Sequence, residues 1–254
     1  MFFDYDKLKT LAEENSEKYQ SADPFPHISF DNFLSESKAM SLYSAFPTPD
    51  QIKWWKYDNF LERKLAINES SEMPELFDQM LMELNSSKFI RFLEKLTGIK
   101  GIIPDPHHRG GGLHQIVKGG KLHIHKDFSV HPDLKLKRIL NVLIYLNPDW
   151  KEEYGGHLEF WNEDMTECRS RVLPTLGKMA CFTLSSTSWH GHPDPLNCPD
   201  GWTRKSIAAY YYINQPEAEV HSTVYRKRPQ DQFTPEEEVM MEKRSKGRLE
   251  DKTT

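Results

Sequence analysis

The sequence is short of cysteine. Cys168, Cys181 and Cys198 are the only three in 254 residues, an odd number with no CxxC spacing. They read as reduced thiols in a cytoplasmic setting, and a chain of this length buries enough surface to need no disulfide staples. Long apolar runs are missing as well. No stretch approaches the 18 residues of a membrane span, and Met1-Phe-Phe-Asp-Tyr-Asp-Lys lacks a basic leader followed by an apolar one. A soluble protein without a membrane partner is expected. Positive charge is not in surplus: 33 Lys and Arg stand against 38 Asp and Glu, a net charge of -5. That balance disfavours nucleic acid as a partner, because such binding rests on cations meeting phosphates. There is no internal repeat, no helix-opening GxGxxG and no HExxH.

What is present divides along the chain. Asp4 to Lys18, the segment opened by Ser35, Leu76 to Leu84 behind Pro74, and Phe89 to Leu96 between Ser87 and Gly98 carry helical spacing and punctuation. Beyond Gly98 the texture becomes short runs rich in β-branched and aromatic residues, over 113–117, 139–146, 157–161, 169–173, 178–184 and 206–213. Strands at this density predict a mainly β fold, a sandwich, barrel or jelly roll, with the N-terminal helices supporting it. The expected organisation is one domain over 1–225, with helical support over 1–100 and the β core over 101–215. A charged tail occupies 226–254, peripheral to the core and carrying a helix near Glu236–Lys246.

Eleven histidines are present, and nine fall between His107 and His192. The sharpest pattern is His125-Lys126-Asp127, since residues i and i+2 of a strand project to one face. Two imidazoles and a carboxylate on one face of a metal leave positions open, which suits non-haem Fe(II) oxygenases. In isolation the tripeptide is an ordinary strand ending. The order of the segments downstream changes its weight: Arg138-Ile-Leu-Asn-Val-Leu-Ile-Tyr145, then Tyr154-Gly155-Gly156-His-Leu158, an apolar run from Met179 through Phe182, Ser188-Trp-His190-Gly-His192, and Thr203-Arg204-Lys-Ser206.

From Leu113 to Ile213 this succession resembles the prolyl-4-hydroxylase-like branch of the 2-oxoglutarate/Fe(II) oxygenases. The opening Pro24-Phe-Pro-His-Ile-Ser-Phe also resembles the entry strand of that branch. The resemblance implies a double-stranded β-helix, with His125, Asp127 and His190 as catalytic metal ligands. His192 competes for the distal place, but the spacing from Phe182 favours His190. The resemblance further implies that Arg204 grips the far carboxylate of 2-oxoglutarate, with Ser206, Tyr145 and Gln115 as further cofactor-binding residues. A planar guanidinium suits that task because it bonds both carboxylate oxygens. Fe(II), 2-oxoglutarate and O2 are the implied cofactor and cosubstrates, with ascorbate as a reductant. Asp127 occupies the place that related halogenases give to a small residue, which points to hydroxylation.

The implied substrate is a peptide or protein, with a small metabolite (an amino acid or sugar) as the alternative. A non-catalytic cupin-like module is a further alternative. His114 and His123 are expected either to line the pocket or to pack. His107, His108, His131 and His157 are expected to have no catalytic part. Trp54, Trp55 and Tyr57 are read as core or lid aromatics.

Overall fold

The computed structural model describes residues 1–216 and 218–247, so the last seven residues of the expected tail lie outside the described residues. In chain order its elements are α1 (Tyr5–Gln20), β1 (His27–Phe30), α2 (Glu36–Ala45), β2 (Trp55–Asp58), β3 (Glu62–Ile67), α3 (Glu75–Leu84), α4 (Ser87–Thr97) and β4 (Ile103–Pro104). Next come β5 (Gly112–Val117), β6 (Lys121–Lys126), β7 (Lys137–Tyr145), β8 (Leu158–Trp161), β9 (Cys168–Val172), β10 (Met179–Thr183), β11 (Trp189–His192), β12 (Thr203–Ile213), β13 (Val224–Tyr225) and α5 (Pro235–Gly247).

Hydrogen bonding runs in the order β1-β10-β7-β12-β5, then β3, then β6-β11-β8-β9. Strand β3 joins the two halves, pairing with β5 through Leu65–Gln115 and with β6 through Glu62–Leu122. The result is a nearly closed antiparallel jelly roll, the double-stranded β-helix.

The helices cover one face of the first sheet because its strands alternate. Val142 and Ile144 of β7, Ile207, Ala209 and Tyr211 of β12, and Met179 and Cys181 of β10 share a core with Phe77, Phe89, Phe92 and Leu93 of α3 and α4. The intervening residues Leu143, Tyr145, Ala180 and Phe182 point the other way, into a second core with Leu158 and Phe160. Period-2 alternation thus divides each strand between a helix-facing side and a barrel interior. Helix α4 is capped by Ser86, whose hydroxyl accepts from the Phe89 amide, and it ends on Gly98 at φ 76°.

Three expectations are corrected. The first hundred residues are not purely helical: β2 and β3 form a hairpin whose second strand becomes an integral part of the sheet. That pairing is made with partners 46 to 60 residues away, beyond what local periodicity records. The cap of α4 is Ser86, one residue before the serine expected, because Ser86 carries the extended backbone (ψ 152°) that a cap requires. The start of the tail is not peripheral: Arg228 is buried and bonds Asp231 at 2.9 Å and Asp194 at 2.7 Å. Its charges find partners within the fold, so a polar composition did not mean a loose segment. Among the described residues no helix is long and apolar enough to cross a membrane.

Candidate active site

Strand β6 delivers His125 at its end and Asp127 immediately after it, and β11 delivers His190 directly opposite His125 in register. The backbone carbonyl of His123 bonds His125 Nδ1 at 2.8 Å, and that of Ser188 bonds His190 Nδ1 at 2.9 Å. A carbonyl can only accept, so both Nδ1 atoms carry the proton and both Nε2 lone pairs are free to bind a metal. His125 Nε2 lies 3.6 Å from Asp127 Oδ1, and His190 Nε2 lies 3.4 Å from Asp127 Oδ2. Ligand atoms from the three residues all fall within 4.8 Å of one another. Two neutral imidazoles and one carboxylate suit a ferrous ion and leave room for other ligands.

The electrostatics favour that ligand state. Burial and the neighbouring His190 lower the pKa of His125, which keeps it neutral. Burial works to raise Asp127, but the charge of Arg138 and the bonds from His125 and His190 outweigh it, holding the carboxyl well below its usual range.

The triad lines a cavity of about 720 Å³ that also contains Arg204 and Ser206. Arg204 is 4% exposed, and among the described residues it makes no ion pair. Its Nε donates to the Gly156 carbonyl at 2.8 Å, and one terminal nitrogen lies 3.5 Å from the Tyr145 hydroxyl. Burial works against its charge, and a bound carboxylate would relieve that penalty. Tyr145 is fully buried, with its ring centroid 4.9 Å from the guanidinium carbon. It sits against Arg204 rather than on the cavity wall. Ser206 reaches the cavity two residues beyond Arg204 on the same strand.

Gln115 is corrected. Its neighbours His114 and Ile116 face the cavity, while its amide is spent elsewhere, donating to the Pro47 carbonyl at 2.9 Å and accepting from Thr203 Oγ1 at 2.8 Å. Of the two undecided histidines, His114 lines the cavity and His123 packs against Phe60 and Phe233. His192 also lines the cavity, beside the distal histidine. Trp54 is buried, whereas Trp55 and Tyr57 stand at the cavity's rim.

Two polar residues against the triad were not foreseen. Arg138 and Asn141 bond Asp127, and Arg138 lies on β7 at a point where the pairing with β12 slips by one residue. The one available signal was a polar pair inside an otherwise apolar strand.

The family model described as "2OG-Fe(II) oxygenase superfamily" matches residues 111–212, the stretch that carries the triad and Arg204. The chain thus matches the 2OG-Fe(II) oxygenase superfamily over that stretch. It is accordingly a 2-oxoglutarate-dependent oxygenase, with iron as cofactor and 2-oxoglutarate as cosubstrate.

Solved structures share the fold of this oxygenase. A prolyl hydroxylase from Trichoplax adhaerens, in complex with a hypoxia inducible factor peptide fragment, superposes with a TM-score of 0.53 at 16% identity, covering 82% of this chain and 91% of that one. A Pseudomonas putida prolyl-4-hydroxylase gives 0.54 at 16% identity, covering 80% and 100%. HygX from Streptomyces hygroscopicus, with nickel, 2-oxoglutarate and hygromycin B bound, gives 0.53 at 12% identity, covering 79% and 87%. No curated protein matches the chain in sequence.

Proposed function

We propose that this oxygenase hydroxylates an unactivated C–H bond of a peptide or protein, as a prolyl hydroxylase-like enzyme. In this reading His125, Asp127 and His190 hold Fe(II). Arg204, seated against Tyr145, holds the far carboxylate of 2-oxoglutarate together with Ser206. The observation that carries the reading is a single cavity with a three-ligand group in one part and a buried, acid-free guanidinium in another. Such a pairing suits a dicarboxylic acid that must reach a metal while its far end is anchored.

Iron, when bound, supplies the coupled oxidation in which 2-oxoglutarate and O2 give succinate and CO2 while one oxygen atom enters the substrate. The chain's own residues set the geometry. The carbonyls of His123 and Ser188 fix the two ring tautomers, Arg138 keeps Asp127 ionised, and the Gly156 carbonyl aims Arg204. An extended substrate is supported by Trp55, a cavity-lining residue 61% exposed, which offers an aromatic surface outside the cavity for a chain to lie on. The competing reading is a small metabolite, supported by the likeness to HygX with hygromycin B bound.

Purified protein given Fe(II), ascorbate and 2-oxoglutarate should form succinate, and a true substrate should stimulate it. Proline-containing peptides and a panel of amino acids and sugars are the arms to compare, with mass spectrometry reading a gain of one oxygen. Turnover stimulated only by the small molecules would overturn the peptide reading.

A further inference from the structure

Asp127 is held from behind by a buried charged unit. Asn141 Nδ2 donates to Asp127 Oδ2 at 2.8 Å, and an Arg138 terminal nitrogen reaches the same oxygen at 3.0 Å. Arg138 also donates through Nε and the same terminal nitrogen to Asn141 Oδ1, at 3.1 and 2.8 Å. The three side chains close a triangle in which Asn141 accepts on its oxygen and donates from its nitrogen, so its amide has one orientation. The Arg138 guanidinium, 2% exposed, lies 3.5 Å from the Tyr210 ring centroid and 4.6 Å from that of Phe128.

The backbone supplies the geometry. On β7 Leu140 pairs with Tyr211, but Arg138, two residues back, pairs with the next residue, Tyr212. The extra residue, Ile139, is a bulge, and it turns Arg138 to the same side as Asn141, three positions away. In a regular strand those two residues would face opposite sides of the sheet.

We propose that Arg138 and Asn141 are positioning residues for the metal: they occupy Asp127 Oδ2 and so present Oδ1 as the single metal-binding oxygen. This rests on the reading that His125, Asp127 and His190 hold a metal. Each oxygen faces one histidine, Oδ1 toward His125 Nε2 at 3.6 Å and Oδ2 toward His190 Nε2 at 3.4 Å, but two donors already engage the lone pairs of Oδ2, whereas Oδ1 keeps its own for a metal. The clamp also fixes the carboxylate plane before the metal arrives. Outer partners of this kind typically govern metal affinity by 10- to 100-fold.

The test measures Co(II) binding to the full-length metal-free protein by calorimetry, together with the visible spectrum of bound Co(II). Asn141→Ala and Arg138→Met should weaken Co(II) binding about 10- to 100-fold and alter the spectrum as Asp127 turns or binds through both oxygens. Arg138→Lys should restore part of the affinity, since an ammonium reaches Oδ2 but does not bridge to Asn141. Melting of the metal-free variants separates folding from positioning. Should Arg138→Met fail to fold, Asn141→Ala, which removes no charge, carries the test. A lowered melting temperature with unchanged Co(II) affinity and spectrum would overturn the clamp alone. If wild type binds no Co(II), or His190→Ala binds it equally well, the metal reading itself falls.

Discussion

At the scale of single residues, the difference between Arg204 and Gln115 is one of facing. Both are buried polar residues on neighbouring strands, yet Arg204 has its charge turned to a cavity and Gln115 has both amide ends bonded to protein. Charge-assisted hydrogen bonds contribute about 1.5–3 kcal/mol each, so losing the grip on a carboxylate should raise the 2-oxoglutarate KM by roughly 10- to 100-fold in Arg204→Met. Gln115→Ala should leave that KM unchanged and instead lower stability by about 1–3 kcal/mol, because the Pro47 carbonyl and Thr203 hydroxyl lose their partners. Steady-state kinetics and urea unfolding of both variants check this. A raised KM in Gln115→Ala would return that residue to the site. The grouping of His125, Asp127 and His190 was legible through the order of segments from Leu113 to Ile213, since His125-Lys126-Asp127 alone is an ordinary strand ending and His190 lies far along the chain. Which face of β5 Gln115 occupies was not. That depends on register, Arg204 opposite Ile116 and Ser206 opposite His114, and one strand read alone does not carry its register.

At the scale of elements, the Gly155-Gly156 turn acts as a rest for Arg204. Gly156 has φ 74°, and a Cβ there would lie 2.6 Å from Leu196 Cδ2 and 2.9 Å from Arg204 Cδ. Gly156→Ala should therefore push Arg204 off its seat, raising the 2-oxoglutarate KM about tenfold, a misplacement equivalent to ~1.4 kcal/mol, with Co(II) affinity unchanged. Gly201→Ala is the control for backbone strain alone, at φ 80° with nothing within 4 Å of the added carbon. It should lower stability and leave KM as it was, and equal KM values in the two variants would contradict the proposed role of the turn. Elements with local signals were readable: the six runs expected as strands all fall on observed strands, and the amphipathic helices lie where their spacing put them. Strands β2 and β3 were not, because β2 pairs with β3 alone among the described strands, and β3 is held in the sheet by the distant strands β5 and β6. The bulge that turns Arg138 inward was hidden for a related reason, since a slip of one residue breaks the period from which facing is read.

At the scale of the whole molecule, the histidines make stability depend on pH in one direction. His131 is fully buried, and its Nδ1 accepts from the amides of Asp133 and Leu134, both at 3.1 Å, an arrangement open only to the neutral ring. Burial lowers its pKa, and burial likewise lowers His114 to about 3, with the Lys64 charge adding to the effect. His114 opens onto the cavity, so water there softens its share, and His131 is the firmer case. Both groups have folded pKa values below the unfolded value of about 6.5. Above that value neither state takes the proton and stability is complete. Below it the unfolded chain takes protons that the folded one refuses, and stability falls by up to ~1.4 kcal/mol per pH unit for each such group. Asp127, held low in the folded state, adds a loss of the same sign only below the ordinary carboxylate range. Urea midpoints of the metal-free protein should thus decline steadily from pH 6.5 to 5. His131→Asn keeps an acceptor for the two amides but takes no proton, so it should flatten the decline by up to one proton's worth. A wild-type midpoint constant down to pH 5, or an unchanged slope in His131→Asn, would show that the buried rings are not what acid attacks.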